Sequence, residues 1–264
     1  MTSPVRSATP PRTRLRIVAV LIGLLLVATG CGSDTPDPSG DAGNGAVTVL
    51  AAASLTEVFE GLGPQLEDRE VSFSFGSSTT LAEQAGNGAP GDVLATADRA
   101  AMDLAVQNGA VSADPVQFAT NQLVLAVPAD NPAGIEGLAD LAGTDWVRCA
   151  DEVPCGRVAV TLLERAGLAD AEPASLEVDV KAALAKVVAG EADAALVYAT
   201  DAVAAGAAVT ALPVEGAEEE LNTYWVAPLA DGDTDAADAW IDLLTSPVGV
   251  RALDAAGFGP GTSR

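Results

Sequence analysis

The sequence predicts an α/β fold in two lobes, each a mostly parallel sheet flanked by helices. Three observations predict it. Apolar runs of strand length alternate with helix-length segments, one pair every 20–30 residues or so, the pattern of layered α/β structure. The alternation occurs in two series, which fits two lobes. Several strand-like runs end in small or hydroxyl residues that open the next helix, and open α/β sheets bind ligands at the carboxyl ends of their strands.

The elements follow in order. Val47–Ala52 is a strand, and Ser54 follows as a candidate N-cap with Glu57 three residues on, as in a capping box. Leu55, Val58, Phe59, Leu62 and Leu66 fall near helical spacing until Gly63-Pro64 interrupts them. Val71–Phe75 is a strand. Gly76, Ser77, Ser78, Thr79 and Thr80 lead from it into a helix over Thr79–Gly86. A strand at Asp92–Thr96 precedes a helix that Asp98 caps and that ends near Gly109. Gln122–Val127 is a strand, Ile135–Leu141 a short helix and Trp146–Cys149 a strand. Arg157–Ala166 is helical and stops at Gly167; Asp179 caps Val180–Ala189, which stops at Gly190. Strands at Ala194–Tyr198, Val209–Leu212 and Thr223–Ala227, with a short helix at Asp201–Ala205, lead to closing helices at Asp235–Leu244 and Val248–Ala255.

The junction Phe75-Gly76-Ser77-Ser78-Thr79-Thr80 has the makings of an anion site. The first N–H groups of a helix lack an intrahelical partner, and the helix dipole favours negative charge there. One such junction read alone is an ordinary N-cap. Similar junctions recur, however, and the strand-end rule puts Ser54, Ser78, Cys155, Val180 and Tyr198 on one functional side.

Composition narrows the function. Hydrophobic residues make up 49% of the 264 but aromatics only 4%, so the core is largely Ala, Val and Leu. There is no histidine, which removes the commonest general base and metal ligand. A net charge of −24 argues against nucleic acid as a partner.

Residues 1–30 read as an address. Arg6, Arg12, Arg14 and Arg16 precede the apolar run Ile17–Ala28, which is short for a membrane span. Ala28-Thr29-Gly30-Cys31 then resembles a bacterial lipoprotein signal, cleaved before a cysteine that receives lipid, although the family usually has Leu at the position of Ala28. A plain secretory signal or an uncleaved anchor is the alternative. Cleavage would leave nine basic residues against 37 acidic ones, a net charge of −28. Residues 31–45, the lipidated cysteine and a Gly, Ser, Pro and Asp-rich stretch, form a tether too polar to fold alone. Cys149 and Cys155 lie close in sequence, and an exported chain sits where disulfides persist. A bridge would contribute about 2.4 kcal/mol on the chain-entropy model. Two free thiols or a metal pair are the alternatives, the latter without the further His or Cys that metals favour.

Seven segments in series carry a family resemblance. Val47-Thr48-Val49-Leu50-Ala51-Ala52-Ala53-Ser54-Leu55-Thr56 resembles the first motif of the molybdate-binding proteins of ABC importers. Phe75-Gly76-Ser77-Ser78 with Leu81 and Gln84 is similar to their second serine motif. Gly88-Ala89-Pro90-Gly91-Asp92-Val93 with Ala97-Asp98, and Asn121-Gln122-Leu123-Val124-Leu125, resemble the segments that follow. Val153-Pro154-Cys155-Gly156, Asp179-Val180-Lys181 and Val197-Tyr198-Ala199-Thr200-Asp201-Ala202 resemble the remaining ligand segments.

The resemblance implies a type II periplasmic-binding-protein fold, with residues 46–120 plus 228–264 as lobe 1 and 121–227 as lobe 2. It implies that molybdate or tungstate is held in the interlobe cleft by hydrogen bonds alone, as cargo rather than cofactor, with no metal cation. Ser54 and Ser78 would each give a hydroxyl and a backbone N–H, Cys155 and Val180 backbone N–H groups, and Tyr198 its phenol. Cys155 stands where the family often has alanine, and Thr79 where many relatives have glycine. A Cys149–Cys155 bridge would brace the ligand loop. The implied partner is an ABC permease, and the implied protein is a monomer held by lipid at Cys31 on the outer face of the cytoplasmic membrane. Alternatives are a receptor for sulfate or another oxyanion, and an enzyme on the same scaffold. The latter lacks any local nucleophile–base signature. A calcium-binding surface protein is a further alternative, but no D-x-D-x-D-G loop is present.

Overall fold

A computed structural model describes residues 45–261. The address at 1–30, Cys31 and all of the tether but Gly45 lie outside the described residues, as do 262–264. Among the described residues no helix is long and apolar enough to cross a membrane.

The chain opens with β1 (Val47–Ala52), a 3-10 turn at Ala53–Leu55 and α1 (Thr56–Leu62), which Gly63-Pro64 converts into a second 3-10 turn. Next come β2 (Val71–Gly76), α2 (Ser78–Gly86), β3 (Val93–Thr96) and α3 (Arg99–Gln107). The strands β4 (Val116–Asn121) and β5 (Leu123–Pro128) are separated by Gln122 alone. Then follow β6 (Trp146–Cys149), α4 (Pro154–Arg165), β7 (Ser175–Glu177), α5 (Val180–Val188), β8 (Ala194–Tyr198), α6 (Ala199–Ala205) and β9 (Val209–Pro213). The chain closes with β10 (Asn222–Pro228), α7 (Thr234–Thr245), α8 (Pro247–Ala255) and β11 (Gly259–Pro260).

Two sheets divide these strands. The first has the order β11-β4-β10-β3-β1-β2, the second β7-β6-β8-β5-β9. Both are mixed rather than mostly parallel. The β1–β2, β1–β3, β6–β7 and β6–β8 pairs are parallel, whereas β10 and β5 run antiparallel to both their neighbours. The antiparallel strands flank the places where the chain changes lobe. A local sequence pattern marks a strand but not its direction.

Other elements depart from the sequence reading too. Strands β4 and β7 carried no separate expectation, and Ile135–Leu141 reduces to a 3-10 turn at Leu138–Leu141. The strand expected at Thr223–Ala227 was grouped with lobe 2, yet β10 lies between β4 and β3 of the first sheet. Its partners sit between 101 and 135 residues back in the chain, so sheet membership moves the return crossing to before Asn222.

Alternation along the strands explains the layering. On β1, Val49 and Ala51 face a cluster holding Phe59, Phe118 and Trp240, while Leu50 faces the opposite cluster with Leu81, Leu94 and Met102. A two-residue period thus covers the first sheet on both sides. Phe59 meets Trp240 edge-on at 5.1 Å. With few aromatics available, this packing concentrates large apolar area at one face. The second lobe has its own core, from Leu123–Val127 through Trp146 and Leu162 to Leu196.

Candidate functional site

A small cavity lies where the two sheets meet, lined by Ala53, Ser54, Ser77, Ser78, Ala97, Val153, Pro154, Cys155, Asp179, Val180 and Tyr198 among others. All five residues singled out by the sequence line it. Its volume is about 20 Å³. One water needs roughly 10–15 Å³, and organic ligands occupy pockets of about 300–1,000 Å³. The site therefore suits a compact ion.

Helix starts build its walls. Ser78 is the first residue of α2, Val180 the first of α5, and Cys155 follows Pro154 at the head of α4. Proline suits that first position, where an N–H would have no intrahelical acceptor. Tyr198 immediately precedes α6. The N–H groups of Ser78, Cys155 and Val180 are thus among those that a helix cannot satisfy internally. Ser54 departs from its expected role as an N-cap: it sits inside the 3-10 turn without capping α1. Glu57, instead of closing a capping box, extends to Lys181 of the second lobe at 2.6 Å.

Each hydroxyl has a defined environment. Ser78 Oγ accepts from the Ala97 N–H at 2.9 Å, which leaves its own proton for another acceptor. Ser54 Oγ and the Tyr224 hydroxyl share a hydrogen bond of 2.8 Å. Asn121 Nδ2 donates to the Tyr224 oxygen at 3.4 Å and to Thr200 Oγ1 at 2.8 Å. Either hydroxyl can donate in the Ser54–Tyr224 bond; when Tyr224 donates, the Ser54 proton is left for the cavity. Tyr198 is 1% exposed, and its hydroxyl has no hydrogen-bond partner among the described residues. Burial, with the neighbouring Tyr224, holds the Tyr198 phenol well above its ordinary value, so it remains a donor. Ser77 was not among the residues the sequence singled out. It also lines the cavity, and its hydroxyl is buried without a partner.

Among the described residues no lysine or arginine side chain lines the cavity. The carboxylate of Asp179 accepts from the Ala182 N–H at 2.9 Å, capping α5. Asp98 caps α3, and Asp92 accepts from the N–H groups of Thr48 and Asp233, so neither suggests a metal. Among the described residues no cluster of three or more acidic or thiol side chains could hold a cation.

Ion pairs join the lobes beside the cavity. Arg157 of α4 meets Asp98 at 2.6 Å, and Thr79 Oγ1 donates to the Glu152 carbonyl at 2.8 Å. Lys181 of α5 bridges Glu57 and, at 3.0 Å, Asp201. Burial opposes the Lys181 charge, but the Asp201 and Glu57 carboxylates outweigh it and raise the lysine above its ordinary value. Asp201 is 1% exposed, and burial pushes it up to about 6 against the pull of Lys181. Asn222 donates to the Ala97 carbonyl of its own lobe at 3.0 Å and, across the boundary, to the Pro154 carbonyl at 3.4 Å.

The loop before α4 is tightly built. A disulfide joins Cys149, at the end of β6, to Cys155, with Cα atoms 5.7 Å apart. It closes a loop that carries Val153 and Pro154 into the cavity wall. The loop doubles back so closely that a Cβ on Gly156 would lie 1.8 Å from the Ala150 carbonyl oxygen.

Residues 47–259 match the family described as bacterial extracellular solute-binding protein. The molybdate-binding protein ModA of Mycobacterium tuberculosis is 36% identical over 250 residues, covering 90% of this chain and 95% of its own. The protein of that name from Escherichia coli is 32% identical, covering 82% and 90% respectively. The periplasmic molybdate-binding protein of Azotobacter vinelandii superposes with a TM-score of 0.72 at 23% identity, over 80% of this chain and 98% of its own.

Proposed function

Because the chain belongs to the bacterial extracellular solute-binding protein family, we propose that it is an extracytoplasmic receptor that captures molybdate, or the equivalent dianion tungstate, and delivers it to an ABC permease. One observation supports this most: a buried, ion-sized cavity walled by helix starts holds the unpartnered Tyr198 hydroxyl and no cationic side chain. In this reading Ser54 and Ser78 each give a hydroxyl and a backbone N–H, Cys155 and Val180 give backbone N–H groups, and Tyr198 gives its phenol. Hydrogen bonds from such donors to an anion are worth roughly 1.5–3 kcal/mol each.

A donor-only cavity favours an ion with no proton of its own. Phosphate near neutral pH carries one that would need an acceptor, and an unpaired buried polar group costs about 1–3 kcal/mol. Sulfate matches in charge and differs in size, so its exclusion falls to the fit of the cavity. Among the described residues the Ser54 and Ser78 hydroxyls bond to Tyr224 and the Ala97 N–H rather than to a carboxylate or amine, which supports binding rather than catalysis.

The lobes, read as residues 46–121 with 222–261 and residues 122–221, close around the ion through the Asp98–Arg157 and Glu57–Lys181 pairs. The chain acts as a monomer anchored through lipid on Cys31 after removal of residues 1–30, on the outer face of the cytoplasmic membrane. Calorimetric titration of residues 32–264 with molybdate, tungstate, sulfate and phosphate tests the assignment. One-to-one binding of the first two is expected. Binding of sulfate alone would change the ligand, and no binding of any of the four would overturn the reading.

A further inference from the structure

We propose that Ser77 is a further hydroxyl donor to the bound oxyanion, so that three serines and a tyrosine, rather than two serines and a tyrosine, face the ion. The proposal rests on the oxyanion-receptor reading and deepens it.

Ser77 is the residue before α2, with φ −61° and ψ 131°. A serine there ordinarily turns its hydroxyl onto the second or third N–H of the helix. Ser77 does not: its side chain makes no capping bond. It is 9% exposed, lines the cavity and has no hydrogen-bond partner on Oγ. The other hydroxyls of the cavity divide into two kinds. Ser54 and Ser78 are each tied to a protein group, Tyr224 and the Ala97 N–H. Ser77 and Tyr198 have none. A buried polar group is ordinarily hydrogen-bonded, and an acceptor-only ion in this cavity would satisfy Ser77 and Tyr198 alike. A hydroxyl can also turn where a backbone N–H cannot, so Ser77 can adjust to an oxygen that the rigid helix starts leave short of donors.

Turned away from the ion, the same hydroxyl would cap α2 at Thr79 or Thr80. The two roles make different demands. Loss of a cap lowers the stability of ligand-free protein and spares affinity; loss of a donor does the reverse. Ser77→Ala and Ser77→Gly both delete the hydroxyl, and glycine is tolerated at this helix position at little cost in stability. Each would be titrated with molybdate by calorimetry and melted without ligand. The expected result is about tenfold or greater weakening of molybdate binding in both, with ligand-free melting midpoints within a few degrees of wild type. A Kd within threefold of wild type in either folded variant would overturn the role of Ser77 and leave the receptor reading standing. Wild-type protein that binds no tetrahedral oxyanion would overturn the receptor reading itself, and the Ser77 role with it.

Discussion

Replacing Tyr198 with phenylalanine removes one oxygen from a ring that is 1% exposed. The ring itself stays, with its edge-on contact to Tyr224 at a centroid distance of 6.1 Å. Since no protein group bonds the hydroxyl, its loss breaks nothing in the ligand-free protein. Deleting an unpaired buried polar group is neutral or favourable by up to about 1–3 kcal/mol. In a protein of this size each 1 kcal/mol moves the melting midpoint by roughly 2–4 °C. The ligand-free midpoint is therefore expected to hold or rise. Binding changes in the opposite sense. A donor to a dianion contributes roughly 1.5–3 kcal/mol, so molybdate affinity should fall about 10- to 150-fold. Calorimetry on wild type and Tyr198→Phe, paired with ligand-free melting followed by circular dichroism, reads both signs. Affinity within threefold of wild type would refute the donor role. A ligand-free midpoint lowered by more than about 5 °C would mean that the protein itself uses the hydroxyl, and would refute the reasoning from its unpaired state.

Three further outcomes are expected. Gly156→Ala would push a Cβ to 1.8 Å from the Ala150 carbonyl oxygen, so the loop must shift; a loss of at least about 3 kcal/mol in a urea melt is expected, and a wild-type urea midpoint would count against the tight turn. Replacing Cys149 and Cys155 together with serine removes the loop closure and should cost about 2 kcal/mol by urea melt while weakening molybdate binding; unchanged values for both would show that the bridge braces nothing. Asp201 titrates near 6 when folded, against an ordinary value of 3.8. The folded state thus holds its proton more tightly, and the stability this gives is present below about pH 4 and lost as pH rises to about 6. Relative to Asp201→Asn, wild type should lose on the order of 3 kcal/mol between pH 4 and 7, and parallel stability curves would refute the burial argument.

Much of the site was legible because it repeats one local grammar. A buried strand, a small residue and a helix start are each visible in short windows, and β8 (Ala194–Tyr198) and the cap at Asp179 match their expected positions. What the windows do not contain is direction and partnership. Strand β4 (Val116–Asn121) runs into β5 (Leu123–Pro128) with a single residue between them and no turn signal. β7 (Ser175–Glu177) is only three residues long. Ser54 looked like a cap because Glu57 follows it at the right spacing, but tertiary contacts with Tyr224 and Lys181 claim both side chains. Ser77 and Ser78 are adjacent residues of one type, and the structure separates them by the start of α2 at Ser78 and the approach of the Ala97 N–H to its hydroxyl.

The position of β10 has a consequence for how the chain is completed. Residues 123–213 supply every strand of the second sheet in one uninterrupted stretch, so that half can assemble once residue 213 has emerged. The first sheet cannot. Its strand β10 is bonded on both edges, to β3 and β4, and arrives only after residue 221. The half that begins the chain is therefore the last to be finished, and until then the edges of β3 and β4 stay open. Pairings so distant in sequence are slow to form, and unpaired edges invite association with other chains. A stop codon or protease cut near residue 221 would thus leave a folded second half tied to a first half without its joining strand.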